Sequence, residues 1–440
     1  MVHAATTEGV NLATHLFGWG LLMLFVVGYY FIAQEEKYHL DKAKPALFVG
    51  TLMYILIGGF YAFYQLDFAP FQMEITHLIY EIAEIFFFLF VAMTFVEVLI
   101  ERQVFNVLKE NLLTRGYGYR QLFWITGFLA FFISPIADNL TTALILSTVL
   151  ITIEKENLPF LLPSAVNIVV ASNAGGAWSP FGDITTLMAW TAQKGEFTDF
   201  LYLFPASFLG WLVTAVLLAR YIPAGAPLRA SHEHFPKAVI LKGGRGIVAI
   251  GIGTIALSII TKQVTHLPPM WGMLFGLSLL QLYVYTLKER HHQEMSIFRS
   301  MSKIENNTLL FFFGILASVG ALHFMGFLAY VTQLYAANNP IFINIALGFL
   351  SAIIDNVPVM SAVLKANPSM DHVQWMLVVL TAGIGGSLIS FGSAAGVGVM
   401  GKLKGVYTFS SHNHLAWAVL VGYGVSVGVW YVQFILLGIG

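Results

Sequence analysis

Apolar segments of roughly 20 residues, each long enough to cross the hydrocarbon core of a bilayer as a helix, follow one another along almost the whole chain. Of the 440 residues, 58% are hydrophobic and only 10% are charged, whereas soluble domains carry about 25% charged residues. So few charges cannot cover a water-exposed surface. We therefore predict an all-α polytopic membrane protein whose main partner is the lipid bilayer.

The apolar pattern predicts ten full membrane spans, near residues 12–33, 45–65, 81–101, 163–193, 200–221, 245–262, 269–287, 307–336, 372–401 and 413–437. Two further apolar stretches, 118–152 and 340–366, each contain a central Asp-Asn pair. We expect each to form a re-entrant hairpin, in which two half-length helices meet at a polar tip and leave the membrane on the side where they entered. Irregular backbone at membrane depth is tolerated only where protein or a water-filled cavity covers it.

The distribution of positive charge supports this topology. With the N-terminus outside, every Lys and Arg of the chain except Lys194, Lys262 and Lys365 falls in an inner loop. The positive-inside rule predicts such a bias for the correct orientation. If either hairpin crossed the membrane, all later loops would change sides and the bias would be lost. We therefore predict that both hairpins are re-entrant and that both termini lie outside.

The order of spans and hairpins occurs twice, in opposite orientations, which predicts two inverted repeats. The first repeat covers residues 1–221 and contains the hairpin 118–152 and a broken helix, 163–193. A cytoplasmic linker, 222–244, leads to the second repeat, 245–440, with the hairpin 340–366 and a broken helix, 372–401. Inverted repeats with interrupted helices at mid-membrane are typical of secondary transporters.

Short motifs recur in the two halves and support their pairing. The Ser, Ile, Asp and Asn residues of 134–139 recur at the same spacing in 351–356, and the Gly-Gly and Phe-Gly pairs of 175–182 recur in 385–392. Glycines at these places could serve close helix packing alone, as small residues commonly do in membranes. Because the glycine pattern recurs in register with a recurring Asp-Asn pair, we favour a role in binding.

The first broken helix contains three glycines and a proline within residues 175–182. Proline removes a hydrogen-bond donor and each glycine costs a helix about 1 kcal/mol, so we predict that the helix stops here and a new one begins near Asp183. Freed carbonyls, the carboxylate of Asp183 and the hydroxyls of Ser179, Thr185 and Thr186 would offer oxygen ligands, which suit Na⁺. The second broken helix offers Ser387, Ser390 and Ser393, with Ser393 in place of Asp183.

The sign of the charges decides the class of substrate. Asp138, Asp183 and Asp355 lie in apolar surroundings with no Lys or Arg near the tips, which would repel an anion and attract a cation. Two like charges 4 Å apart repel by about 4 kcal/mol at an effective dielectric constant near 20. We hypothesise that Asp138 and Asp183 form a pair that holds Na⁺ together with Asn139 and binds a proton when Na⁺ leaves. Such competition for one site is enough to give antiport.

Three motifs, Ser-Pro-Ile-Ala-Asp-Asn-Leu-Thr-Thr at 134–142, Ser-Pro-Phe-Gly-Asp-Ile-Thr-Thr at 179–186 and Ile-Asp-Asn-Val-Pro-Val at 354–359, resemble NhaD-type sodium/proton antiporters of the ion transporter superfamily. The resemblance implies extrusion of Na⁺ or Li⁺ driven by proton entry, activity at alkaline pH, no cofactor beyond the transported ions, and a bacterial inner membrane. It also implies an elevator-type fold whose scaffold commonly forms a homodimer. It places functional weight on Glu84, Asp138, Asn139, Asp183, Thr185, Thr186, Ser351, Asp355, Asn356, Ser390 and Ser393.

Carboxylate-transporting relatives carry Ser-Asn-Thr at the hairpin tips, where this chain has Asp138-Asn139 and Asp355-Asn356. The difference argues against a dicarboxylate substrate. An intramembrane aspartyl protease that uses Asp138 and Asp183 is one rival, but it leaves the second Asp-Asn pair unexplained, and an anion or metalloid exporter of the same fold is another. The chain has no cysteine and no basic stripe, so thiol chemistry is excluded and a nucleic-acid partner is not expected.

Overall fold

The protein is described here by a computed structural model that covers residues 10–227, 239–291 and 295–439, without the side chains of Glu36, Leu113 and His291. Residues 228–238 of the predicted linker lie outside the described residues. Within the described ranges, ten helices are long and apolar enough to cross a membrane. The chain is therefore a multi-pass membrane protein, as its composition predicts.

The helices of the first half precede residue 222. They are α1 (Leu16–Ala33), α2 (Glu35–Tyr38), α3 (Ala43–Phe63), α4 (Ala69–Glu101), α5 (Val104–Thr114), α6 (Tyr119–Ala137), α7 (Asn139–Ile153), α8 (Leu158–Gly176), α9 (Ile184–Thr191), α10 (Phe197–Tyr202) and α11 (Phe204–Leu218). Short 3₁₀ helices cover Leu12–Thr14 and Ala219–Tyr221.

The helices of the second half follow the linker. They are α12 (Gly244–Thr265), α13 (Pro269–His291), α14 (Ile297–Met301), α15 (Asn306–Phe324), α16 (Ala329–Ala337), α17 (Pro340–Ile354), α18 (Asn356–Ala366), α19 (His372–Gly385), α20 (Ala394–Lys402), α21 (Phe409–Asn413) and α22 (Ala416–Trp430). A 3₁₀ turn, Gly386–Leu388, follows α19, and a π-helical segment, Tyr431–Leu436, continues α22.

Both Asp-Asn stretches are interrupted at the predicted residue. Asp138 separates α6 from α7, and Asp355 separates α17 from α18. The expectation of half-length arms holds for α7, α17 and α18, which have 15, 15 and 11 residues. It is wrong for α6, whose 19 residues are enough to cross a membrane. The re-entrant course of the two pairs stays a prediction.

The ten membrane-length helices include α6 and not the predicted span 372–401, which is formed by the shorter helices α19 and α20. Three other predicted spans also differ in their bounds. The span 307–336 is two helices, α15 and α16, because the chain turns at Gly326, whose φ of 92° suits glycine. The broken helix begins at Leu158 rather than 163, since the side chain of Asn157 accepts a hydrogen bond from the Phe160 N–H at 3.2 Å and starts α8 there. The third span is longer than predicted, because α4 already begins at Ala69.

The chain forms two compact units, and each takes residues from both halves of the sequence. Unit 1 comprises Met1–Phe90, Glu305–Asn339 and Ser361–Ser369, and unit 2 comprises Val91–Ile304, Pro340–Met360 and Met370–Gly440. This division does not test the predicted repeat boundaries, which stay a prediction.

In unit 1, α3 and α15 approach each other through glycines. A Cβ atom on Gly50 would lie 2.4 Å from the Gly314 carbonyl oxygen, and one on Gly314 would lie 2.3 Å from the carbonyl carbon of Ala46. Lipid tails are as apolar as leucine, so membrane helices associate through close packing rather than a hydrophobic driving force. Small residues at this crossing therefore hold unit 1 together.

In unit 2, the two interrupted helices form the centre. All residues of α8 from Pro163 to Gly176 are buried, and so are all residues of α19 from Gln374 to Gly385. The helix α6 packs against α8, and α17 packs against α19. Each Asp-Asn tip is thus carried by a helix that lies on one of the two central helices.

We expect Gly314→Ala to destabilise unit 1, because its new methyl group would meet the backbone of α3 and one of the two helices would have to shift. Overpacking of this kind costs about 1–3 kcal/mol, which should appear as a lower melting temperature of the purified protein in detergent. Gly59→Ala is the matched control, since a Cβ atom there meets nothing within 4 Å. Equal melting temperatures for the two variants would contradict the close approach.

Candidate functional site

The two tip aspartates have backbone conformations that are unusual for a side chain. Asp138 has φ 59° and ψ 163°, and Asp355 has φ 83°. Such conformations cost about 1–3 kcal/mol at a residue other than glycine. The carboxylates offset part of this cost, since Asp138 accepts hydrogen bonds from the N–H and the hydroxyl of Thr141, both at 2.8 Å, and Asp355 accepts one from the Asn356 N–H at 2.7 Å. Asp138 therefore caps α7, and Asp355 lies directly before α18.

The same hydroxyl anchor holds each tip to a central helix. The Ser134 hydroxyl donates to the carbonyl of Ser172 in α8 at 2.6 Å, and the Ser351 hydroxyl donates to the carbonyl of Ala382 in α19 at 2.8 Å. Ser351 was predicted as a site residue, and its hydroxyl here fixes the position of the tip.

Glycines allow each tip to lie close to a central helix and the two ends of each break to lie close together. A Cβ atom on Gly175 would lie 2.3 Å from the Phe131 carbonyl oxygen, and one on Gly385 would lie 2.3 Å from that of Gly348. Across each break, a Cβ atom on Gly176 or Gly386 would lie 2.5 Å from a carbonyl oxygen on its far side. Close packing is therefore the role of the glycines themselves, and the polar residues that they bring together form the candidate site.

A new helix begins at Asp183, as predicted. Its carboxylate accepts a hydrogen bond from the Thr185 N–H at 3.1 Å, and the Thr186 hydroxyl donates to its carbonyl at 2.7 Å. At the equivalent place in the second half, the Ser393 hydroxyl accepts a hydrogen bond from the Gly396 N–H at 3.2 Å and starts α20. Serine and aspartate are both good N-caps, so the change from Asp183 to Ser393 removes the charge and keeps the helix start.

Both tips converge on the Asp183 carboxylate, which is 4% exposed. The side-chain amide of Asn139 donates to its Oδ2 at 2.7 Å, and that of Asn356 donates to the same oxygen at 2.9 Å. One carboxylate oxygen thus joins residues that are far apart in the sequence and belong to different halves of it.

Asn173 links this carboxylate cluster to the second break. Its Oδ1 accepts a hydrogen bond from the Asn139 amide at 3.0 Å, and its Nδ2 donates to the hydroxyls of Ser387 and Ser393, both at 2.8 Å. The sequence reasoning did not assign Asn173 a role. The available signal was a polar residue two positions before Gly175 in an apolar helix.

The other predicted residues are placed as follows. Ser179 donates to the Pro135 carbonyl at 2.9 Å. Thr185, Thr186 and Ser390 are fully buried. Among the described residues, the Ser390 hydroxyl has no hydrogen-bond partner. Asp355 is 7% exposed, whereas Asp138 is only half-buried. Glu84 is 8% exposed in the part of α4 that belongs to unit 1. The functional weight that the resemblance gives to Glu84 stays a prediction.

An all-helical membrane protein with buried carboxylate, amide and hydroxyl oxygens at two helix breaks has the features of a secondary transporter, and comparison with known proteins agrees. The model of the citrate transporter family, CitMHS, matches residues 11–383.

Several relatives match nearly the whole chain. The Na(+)/H(+) antiporter NhaD of Alkalimonas amylolytica is 39% identical over 454 residues, which cover 97% of this chain and 93% of the relative. NhaD of Vibrio cholerae is 40% identical over 454 residues, covering 96% and 94% of the two chains. Sodium/proton antiporter 1 of Arabidopsis thaliana is 31% identical over 395 residues, covering 87% and 67%. The chain belongs to the family of NhaD-type sodium/proton antiporters, which are secondary transporters and not enzymes.

We expect Asn173→Ala to destabilise unit 2, because it removes the partner of Asn139 and of the two serines and leaves buried polar groups unsatisfied. Each such group costs about 1–3 kcal/mol, so the melting temperature in detergent should fall clearly. Asn338→Ala is a suitable control, since Asn338 is exposed and donates only to the Leu334 carbonyl of its own helix. A similar small effect of both variants would contradict the linking role of Asn173.

Proposed function

We propose that this protein exchanges cytoplasmic Na⁺ or Li⁺ for external H⁺ and so maintains sodium and pH balance under alkaline conditions. The observation that carries the proposal is the buried Asp183 carboxylate, on which the asparagines of both tips converge. The names of the relatives, which are sodium/proton antiporters, support the same reaction.

The proposed Na⁺ site consists of Asp138, Asn139 and Asp183, with further oxygens from Ser179, Thr185 and Thr186. In the arrangement described above, the amide nitrogen of Asn139 faces Asp183. An amide nitrogen donates and cannot ligate a cation, whereas the amide oxygen can. We infer that Na⁺ binding turns the Asn139 amide so that its oxygen faces the ion.

Competition between the two ions gives the coupling. When Na⁺ leaves, the carboxylates of Asp138 and Asp183 repel each other, by about 4 kcal/mol if they are 4 Å apart at an effective dielectric constant near 20. Uptake of one proton by the pair removes this repulsion. Return of Na⁺ displaces the proton, so the site carries one ion or the other across the membrane.

The second half contributes the other wall of the site in this proposal. Asp355 and Asn356 form its tip, and the hydroxyls of Ser351, Ser387, Ser390 and Ser393 surround its break. Because Ser393 carries no charge, the second half provides one fewer carboxylate than the first. We propose that it positions the ion and leaves the exchange of the proton to Asp138 and Asp183.

Alternating access completes the proposal. It comprises two re-entrant hairpins in inverted repeats and an elevator-type movement of the site. It also places both termini outside a bacterial inner membrane and assumes a homodimeric scaffold. The serine anchors and glycine approaches that α6–α8 and α17–α19 share are consistent with such repeats.

The first test is exchange in everted membrane vesicles that contain the protein. After respiration has acidified the lumen, addition of Na⁺ or Li⁺ should dissipate the pH gradient at neutral and alkaline pH, because the entering cations are exchanged for luminal protons. K⁺ serves as the control ion. Because the matched family model, CitMHS, is described as a citrate transporter, citrate is the alternative substrate to test. Accumulation of labelled citrate without a response to Na⁺ would contradict the proposal.

The second test removes the charge of each proposed ligand. Asp138→Asn and Asp183→Asn should both lower Na⁺-dependent exchange to the level of vesicles without the protein, because an amide can neither balance the cation nor take up the proton. Asp67→Asn is the matched control, since Asp67 is exposed and starts α4 by accepting a hydrogen bond from the Ala69 N–H, which asparagine can also do. If both site variants retain Na⁺-dependent exchange, the proposal that Asp138 and Asp183 form the exchanging pair is wrong.

A further inference from the structure

A buried imidazole outside the proposed ion ligands contacts the second break. His412 lies in α21 and is 1% exposed. Its Nε2 lies 3.2 Å from the carbonyl oxygen of Leu388, and its Nδ1 lies 3.0 Å from the hydroxyl of Tyr407, which is also 1% exposed. Both ring nitrogens are therefore engaged within the protein.

These partners fix the roles of the ring nitrogens. A carbonyl oxygen can only accept, so Nε2 carries a proton and donates to Leu388. In the neutral ring Nδ1 then accepts from the Tyr407 hydroxyl, which can donate. The ring is thus held at one side by a tyrosine and directs its only N–H toward the backbone of the 3₁₀ turn, where Leu388 accepts it.

That backbone oxygen lies at the end of the 3₁₀ turn Gly386–Leu388. The next residue, Ile389, is extended, with φ −127° and ψ 147°, so the helical hydrogen-bond pattern ends here and its last carbonyls need other partners. The side chain of Ser387 precedes this carbonyl in the turn, and that of Ser393 lies at the other end of the break. Their hydroxyls are the ones that accept hydrogen bonds from Asn173.

We propose that His412 is a positioning residue for the ion site, which it serves by holding the Leu388 carbonyl and with it the segment from Gly386 to Ser393. The fixed segment keeps the hydroxyls of Ser387 and Ser393 within reach of Asn173, and Asn173 orients Asn139 beside Asp183. The effect on transport rests on the proposed function. His412 itself touches neither ion.

The test compares two substitutions of His412 in the vesicle assay. Phenylalanine fills the space of the ring without a donor, whereas the amide nitrogen of glutamine can take the place of Nε2 and donate to Leu388. We expect His412→Phe to raise the apparent KM for Na⁺ by about tenfold while the maximal rate per folded protein changes less than about twofold. His412→Gln should restore the KM to within about threefold of the unsubstituted protein.

Two further variants complete the design. His414→Phe is the matched control, because His414 lies two residues away and is exposed, and its KM should be unchanged. Tyr407→Phe removes only the hydroxyl that holds Nδ1 and should raise the KM by a smaller factor, about two- to fivefold. It gives a result even if His412→Phe fails to fold.

An unchanged KM in a folded His412→Phe variant would overturn the inference, and so would an unchanged KM in Tyr407→Phe if His412→Phe does not fold. Equal impairment of the phenylalanine and glutamine variants would also overturn it, because the hydrogen bond to Leu388 would then not be the cause. If the unsubstituted protein does not respond to Na⁺, the proposed function fails and this inference fails with it. If the unsubstituted protein exchanges Na⁺ normally and the folded His412→Phe variant has the same KM, only the inference about His412 is rejected and the proposed function stands.

Discussion

The arrangement of the site depends on one carboxylate oxygen, Oδ2 of Asp183. It accepts hydrogen bonds from Asn139 and Asn356, each of which follows the aspartate at a tip. Hydrogen bonds to an ionised acceptor are roughly twice as strong as those between neutral groups, and in a buried place they are exposed to little competition from water. A ligand or proton that binds Asp183 therefore acts on both tips at once.

Backbone proximity makes this convergence possible. Both tips lie against central helices at glycines, where a methyl group would overlap with a carbonyl oxygen of the neighbouring chain segment. The interrupted helices in turn depend on glycine pairs that face each other across each break. The packing of α8 and α19 is thus what places short polar side chains within hydrogen-bonding distance at the centre of unit 2.

The sequence was informative about the places where helices stop. Asp138, Asp183 and Asp355 each lie at a helix start, because local chemistry decides such positions: glycine and proline disfavour the helix before them and a short acidic side chain caps the one that follows. The interruption at Gly326 was missed, since a single glycine in an apolar run does not by itself indicate a turn. The prediction of a half-length helix was wrong for α6, because an Asp-Asn pair marks a break but does not fix the length of the helix before it.

The partners of the site residues could not be read from the sequence to the same degree. The recurrence of Asp-Asn showed that the tips correspond, but it did not show that their asparagines would share an oxygen of Asp183. The role of Asn173 depends on contacts with Ser387 and Ser393, more than 200 residues away, and no local pattern reports such a contact. His412 lies in a short helix whose neighbours are likewise set by tertiary packing alone.

The pairing of Asp183 with Ser393 has a consequence for the charge at the two breaks. Either side chain starts its helix by accepting a backbone N–H, so the helix start itself does not require a charge. A change of charge at either place therefore leaves the start of the helix intact, although replacing Asp183 would also remove the oxygen that Asn139 and Asn356 share. The second break shows the uncharged form of this arrangement, because Ser393 starts α20 with a hydroxyl group alone.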